Sequence, residues 1–599
     1  MRVIQAIGFV LLVIGSCGHA SLGAEDEATK AAGRRLRQVI SGYWNDLIRT
    51  HPLEASILVG DHRFGDRLDD PSPEAYESWL DRLDSTRDAL NEIDPGALSA
   101  EEALDREILL LAIEDRLQSQ RFGDHLVPLA PILRYSCDLH FADLHLLFAQ
   151  LGEFQPASTR GDVENYLLRL KAFPTVAGKI IETLRRGISE KRLAPRVVMP
   201  RVVAQLRSLG AARPEASPFW AIVPRLPDDW PESELAAVRK RLAAAIVNDV
   251  APAFSRLAEF VEKTYLPACP DRVGLAAEKD GAEHYAFLVR SYTTSDLTPN
   301  QIHDIGLAEI RRTRLAMEEV RRRVGFPGEL KAFFEQLRTD SRFKNASEDS
   351  ILRGHRAIIA TMEANLPRLF GRLPRTPLEV RAFEPIRARS SPTGEYYPAA
   401  SDGSRPGIFF VNTSDPTSRP TYTMQALAYH EAIPGHHLQG AVGLEASGRP
   451  PFRRYFYFPA FDEGWALYSE SLPEEIGLYT DPYAVFGRLN YDALRCARLV
   501  VDTGMHHKGW TRDQAIAYME QNTSLPRNEI ENEVDRYIAW PGQALAYKVG
   551  ELKIRELRQR AAKNAGASFD LRAFHDRLLS FGSVPLRLLE KLIDAETPR

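Results

Sequence analysis

The chain has 599 residues, 44% of them hydrophobic and 26% charged, with a formal net charge of -5 and a pI near 6.4. That is enough apolar material for a large core, and it excludes a disordered chain. There is no basic excess, so neither nucleic acid nor an anionic membrane surface is expected as a partner.

Met1-Arg2 precedes an apolar run from Val3 to Ile14. The run is shorter than the ~20 residues a bilayer span needs but fits the core of a signal peptide, so residues 1–24 are read as an export signal. Two processing routes compete: Ile14-Gly15-Ser16-Cys17 has the form of a lipoprotein cleavage box with a lipid anchor at Cys17, and Gly18-His19-Ala20 or Leu22-Gly23-Ala24 suits ordinary cleavage. The expected location is periplasmic or membrane-anchored, alternatively secreted, with no membrane-spanning helix in the mature chain. Cys137, Cys269 and Cys496 then remain, too few for a disulfide framework, although a Cys137–Cys269 bridge stays open.

Apolar residues recur at three- and four-residue intervals in successive stretches, which predicts helices at Leu36–Arg49, Ala103–Gln118, Val163–Arg186, Glu232–Thr264, Pro299–Val324 and Ser350–Leu369. Tyr483–Asp502, Arg512–Asn522 and Ala544–Ala562 follow the same pattern. Proline-rich loops separate them, and a soft boundary near residue 280 divides an amino-terminal helical half (25–280) from a motif-bearing half (281–599). The fold expected is mostly α, a large helical zincin-like body with a deep cleft and a small β element near the site. That β element is Arg405–Asn412, apolar, partly β-branched and bounded by turn formers; it reads as a lone strand on whose edge an extended peptide docks. Phe409 lies on it, and Arg405, bordering it with Tyr396 and Tyr397, is a candidate for a substrate carboxylate.

The chemistry concentrates in His430-Glu431-Ala432-Ile433-Pro434-Gly435-His436-His437. The helical zinc motif HExxH works because residues four apart share a helix face. Here proline stands where the second histidine is expected. Deleting Pro434-Gly435 would restore the spacing, so a local unwinding would return His436 to the metal face; a regular helix would instead bring His437 to within about 20° of His430. A catalytic zinc site usually takes three protein ligands. Glu463, 33 residues after His430 on a second predicted helix, supplies the third, and Glu470, seven residues on, shares its face and can hold a ligating imidazole from behind. Asp462 reads as a helix-start residue.

These residues resemble the bacterial family of unknown function DUF885, with its pattern HExxPGHxxQ followed by an EGWA-type segment, here His430–Gln439 and Glu463–Ala466. The resemblance runs from His51-Pro52 and Gly60-Asp61-His62-Arg63 to Phe574-His575 and Pro585-Leu586, and its pattern favours His436 over His437. More distantly the chain is similar to helical zinc peptidases of the angiotensin-converting enzyme and oligopeptidase type. That likeness implies a single zinc ion and, through the pair Arg536-Tyr537, an Arg-Tyr element near the site.

Such residue types support hydrolysis of an amide. Zinc polarises the carbonyl and acidifies a water on it, Glu431 is the general base, and a developing oxyanion needs a further donor. Tyr537 is the first choice for that donor, with Tyr547 and His506 as alternatives. Competing readings make Tyr537 a bonded core tyrosine, Arg405 a loop brace, and His506 and Tyr547 packing residues. The expected function is an exported zinc metallopeptidase for short or unfolded peptides. A zinc amidase acting on non-peptide amides and an inactive, metal-stabilised binding lipoprotein are the alternatives. GxSxG, GxxxxGK[ST] and GxGxxG are absent from the sequence, and oligomeric state is left open.

Overall fold

The computed structural model describes residues 29–138, 142–211, 213–383, 388, 392–400, 403 and 405–595. Helices make up most of it, and three short strands form one small sheet. The predicted helices are present, most of them longer than predicted: Arg160–Glu190 and Ala100–Ser119 extend the expected stretches at both ends because Thr159 and Ser99 cap them. In each, the side chain accepts from the third backbone N–H of the helix while the acid at that position returns to the cap. The signal segment and Cys17 lie outside the described residues. No described helix is long and apolar enough to cross a membrane.

Pro299–Arg323 (α1) begins at a Thr298–Gln301 capping box with proline in its first turn. Its buried residues Ile302, Gly306, Ile310, Thr313, Met317 and Val320 recur at three and four, forming one stripe. That stripe packs on Pro482–His506, a largely buried helix, where a Cβ on Gly306 would strike Leu499 and Val500. Between the two helices Asp492 accepts from Thr313 Oγ1 at 2.7 Å, Arg312 at 3.0 Å and Lys548 at 2.7 Å. Burial opposes the Asp492 charge, but Lys548 and Arg312 outweigh it and hold the carboxyl far below its ordinary value. Removing one partner of such a pair would strand the other, which fixes three helices to one another.

Both apolar cores draw on residues from either side of position 280. One contains Leu53, Phe148, Tyr166 and Phe254 together with Phe409, Val501 and Tyr537. The other joins Leu36 and Trp44 to Phe461, Trp465 and Leu589. Cys137, Cys269 and Cys496 are free thiols.

The sheet corrects the expectation of a lone docking strand. Leu378–Ala382 (β1) pairs in parallel with Gly407–Val411 (β3), Val380 opposite Phe409, and Gly394–Tyr397 (β2) pairs antiparallel on the other side, Tyr396 opposite Phe409. β3 is therefore the central strand, both its edges are taken, and all five of its residues are buried. A continuous apolar run is what a strand covered on both faces requires. Phe409 is fully buried with its ring 5.2 Å from that of His355, so it has no surface to offer a substrate.

Candidate metal centre

The site is built on a broken helix. Met424–Glu431 (α2) stops at Ala432, and a new helix, His436–Glu445 (α3), starts four residues on. Pro434 lacks the N–H a continuing helix needs. Gly435 passes so close to the carbonyls of Tyr429 and His430 that any Cβ would collide with them. Trp465 Nε1 donates to Pro434 O at 2.9 Å and Ser469 Oγ to Tyr429 O at 3.1 Å, so the break is held by Pro459–Ser469 (α4). The sequence expectation of an unwinding that presents His436 describes this turn.

α4 in turn lies against Ala546–Ala565 with glycine on both sides. Cβ atoms at Gly464 or Gly550 would run into the opposing backbone, at Gly550 Cα and Ala460 O respectively. The two helices meet backbone to backbone, which places Glu463 and Tyr547 beside one contact.

His430, His436 and Glu463 come together, one ligand atom of each within 4.8 Å of the others. Glu463 Oε2 stands 3.4 Å from His430 Nε2 and 3.4 Å from His436 Nε2, and the imidazole rings are nearly perpendicular, with centroids 4.9 Å apart. Four ligands at about 2.0–2.2 Å from a tetrahedral zinc are separated from one another by about 3.3–3.6 Å, so these spacings fit the ion. Glu463 Oε2 is buried without a hydrogen-bond partner, as a ligand atom facing a cation would be. Its other oxygen accepts from the Tyr457 hydroxyl at 2.8 Å, which fixes the carboxylate's rotation.

Glu470 Oε1 lies 2.9 Å from His430 Nδ1. That nitrogen must donate to the carboxylate, which leaves the Nε2 lone pair aimed at Glu463 and His436. Arg495 Nη2 supports Glu470 at 3.5 Å. Burial opposes charge on His430, but the two carboxylates outweigh it and raise its pKa to about 9. Glu463 moves the opposite way, well below the ordinary carboxylate range, because His430 and His436 overcome its burial. Asp462, one residue earlier, is buried and accepts from Gln439 and Ser583; burial pushes its pKa up to about 7. It braces α3 against α4 rather than simply starting the helix.

His437 turns away from the cluster. Its Nε2 donates to Thr376 O at 3.1 Å and its Nδ1 accepts from Tyr396 OH at 3.2 Å, so both nitrogens are spent, and burial lowers its pKa to about 4. Glu431 sits beside His430, is 9% exposed, and takes no hydrogen bond among the described residues.

Tyr537 and Tyr547 differ in what surrounds them. Tyr537, on Arg527–Ala539, gives its hydroxyl to Glu533, one turn back on the same helix, and accepts from Arg498 Nε at 2.9 Å. That hydroxyl is committed away from the histidines. Tyr547 stacks its ring 6.2 Å from that of His430, and the Glu463 charge adds to burial in raising its pKa. His506 is also structural: Nε2 donates to Tyr537 O at 3.0 Å while Nδ1 accepts from Leu275 N at 3.3 Å. Arg405 donates to Ile57 O at 3.1 Å and lies 4.9 Å from the Phe154 ring centroid, so it ties β3 to the amino-terminal helices. Arg536 reaches Gln543 and, at 3.4 Å, the Tyr547 hydroxyl.

Sequence reasoning missed Tyr457, Arg495 and Arg498. Tyr457 was findable in part, since it stands just ahead of Pro459, the first residue of the helix that carries Glu463. The arginines carried no local signal.

A family model described as a bacterial protein of unknown function (DUF885) matches residues 52–593. Among solved structures, a candidate lipoprotein from Colwellia psychrerythraea is 28% identical, with a TM-score of 0.87 over 94% of this chain and 99% of that one. A candidate lipoprotein of unknown function from Shewanella oneidensis, 18% identical, has the same fold at a TM-score of 0.67 over 93% and 99%. Metallocarboxypeptidase 1 of Trypanosoma cruzi aligns at 12% identity and a TM-score of 0.34 over 96% and 97%. No curated protein matches the chain.

Proposed function

We propose that this chain, which belongs to the bacterial family of unknown function DUF885, is an exported zinc-dependent hydrolase of peptide bonds in short or unfolded peptides. The observation that carries this reading is the convergence of His430 Nε2, His436 Nε2 and Glu463 Oε2, with Glu431 beside them and unspent. A structural cluster would consume its own acceptors; this one leaves a buried oxygen facing two imidazole nitrogens.

Zinc in that position supplies a Lewis acid for the scissile carbonyl and lowers the pKa of water towards about 7. Glu431 takes a proton from the attacking water and returns it to the leaving amine. Glu470 keeps His430 in the tautomer that offers Nε2, and Tyr457 keeps Glu463 aligned. Tyr547 takes the oxyanion-donor role that the sequence assigned to Tyr537, because its ring stacks on His430 while the Tyr537 hydroxyl is given to Glu533. Export follows from the apolar run before Cys17 and agrees with two structural neighbours described as candidate lipoproteins.

The test pairs metal analysis with one substitution. Purified protein should hold one zinc per chain and cleave members of a peptide mixture. Glu431→Gln should keep the zinc and lose roughly 10²–10⁴-fold in kcat. Wild-type protein without zinc, or a Glu431→Gln variant as active as wild type, overturns the reading.

A further inference from the structure

Three arginines surround the tyrosine whose ring stacks on His430, a residue of the metal face. The guanidinium carbons of Arg498, Arg495 and Arg536 lie 4.5, 5.8 and 6.0 Å from the centroid of the Tyr547 ring, the ring that stacks on His430. Among the described residues Glu533 and Glu470 pair directly with these guanidinium groups, while Glu463, whose charge also reaches Tyr547, belongs to the metal face. Glu533 accepts from Arg498 Nη2 at 2.7 Å and lies 3.5 Å from Arg536, while Glu470 is shared between Arg495 and the metal-face imidazole.

Hydrogen bonding is incomplete in the same place. Arg498 and Arg495 are each only 6% exposed, yet Arg498 Nη1 and Arg495 Nε are buried without a partner. Leaving such donors unmade costs about 1–3 kcal/mol each, and these two stand around the ring that stacks on a metal-face histidine. A planar fork with a spare N–H matches a carboxylate.

We infer that Arg498, Arg495 and Arg536 form the subsite for the free carboxylate of the substrate, so that the enzyme acts at the carboxyl terminus of short peptides. The inference rests on the hydrolase reading above and adds the substrate class to it. Arg405, the residue the sequence suggested for this task, also keeps a buried Nη1 without a partner, but it donates to Ile57 O and packs on the Phe154 ring rather than on Tyr547.

Binding without turnover tests the subsite separately from the chemistry. Zinc-loaded Glu431→Gln protein is titrated by calorimetry with acetyl-Ala-Ala-Phe and with the same peptide as its carboxyl-terminal amide. The acid should bind about ten-fold tighter or more. Arg536→Gln, and separately Arg498→Lys, which retains charge but not the fork, should each shrink that preference while zinc content stays at one per chain. Equal affinity for acid and amide overturns the inference, as does failure of both to bind. A preference that survives both arginine substitutions also overturns it, because the carboxylate would then be held by zinc itself. If the preference behaves as expected and wild-type protein cleaves no peptide, the subsite stands and the peptidase reading falls.

Discussion

Two groups of histidine and carboxylate are buried in this molecule, and they use the same atom types to opposite ends. Around His51, Glu54 and Asp69 both oxygens of the central carboxylate are spent: Asp69 Oδ1 accepts from Leu53 N at 2.9 Å, and its Oδ2 lies 3.3 Å from His51 Nδ1. Arg169, buried alongside, donates to the carbonyls of Pro52, Phe64 and Arg67, so the whole group clasps the loop after Gly60 to the helices behind it. Around His430, His436 and Glu463 the outer atoms are tied by Glu470 and Tyr457, and the inner ones point at a common centre without bonding. Proximity of candidate ligands is shared by both; the orientation of what remains unbonded separates a brace from a coordination site.

The contrast breaks most sharply at the second histidine. His436→Ala should reduce zinc to well below one per chain and cut hydrolysis by about 10³-fold or more, since several kcal/mol of carbonyl polarisation are lost; elemental analysis beside a peptide assay reads both. Next in size, Glu470→Gln should leave the fold intact and weaken zinc binding roughly 10–100-fold, measured by competition with a chelator, because the imidazole loses its orienting partner. Asp69→Asn, in the other group, should do the reverse. Zinc content and kcat should be unchanged, while denaturant unfolding shows a loss of about 1–3 kcal/mol from the disturbed clasp. A zinc loss in that variant would erase the distinction between the two groups.

The smallest effect per residue concerns the frame that carries both. Burial lowers the pKa of His145 and His355 to about 3, and of His506 and His575 to about 4. Below the ordinary value of about 6.5 the unfolded chain binds protons that the folded one refuses, so stability falls as pH drops from about 6.5 towards 4. Each histidine contributes at most about 1.4 kcal/mol per pH unit in that window. Buried Asp462, Asp502 and Glu529, raised to about 7, act in the opposite sense over the same range, so the test compares wild type with His355→Phe. The melting midpoint should fall more steeply from about pH 6.5 to 4 in the wild type, and parallel profiles would contradict this burial assignment.

Much of this was legible in the chain because it is local. Three-and-four spacing predicted the helices, and the order His, Glu, Pro-Gly, His announced both a metal face and the break that produces it. Glu463 and Glu470 could be paired because seven residues make two helical turns. What was not legible depends on packing over long separations. The apolar run Gly407–Val411 reads the same whether it lies at an edge or in the middle of a sheet, and β1 and β2 decide that. Tyr537 and Tyr547 are equivalent as letters. Glu533, one turn behind the first, claims its hydroxyl, and a glycine contact with α4 brings the second to the histidines. Arg498 is 68 residues from His430, and nothing near it in sequence marks its role.

The glycine seam between α4 and Ala546–Ala565 has an implication for anyone who would reshape this protein. Because the two backbones already touch at Gly464 and Gly550, that side has no slack to absorb a bulkier guest. Enlarging the chamber there would move Glu463 and Tyr547 in the same stroke, detuning cation affinity and transition-state contacts together. Redesign for larger substrates belongs at Tyr396 and His437, which meet through side chains and can be changed without touching the three metal-face residues.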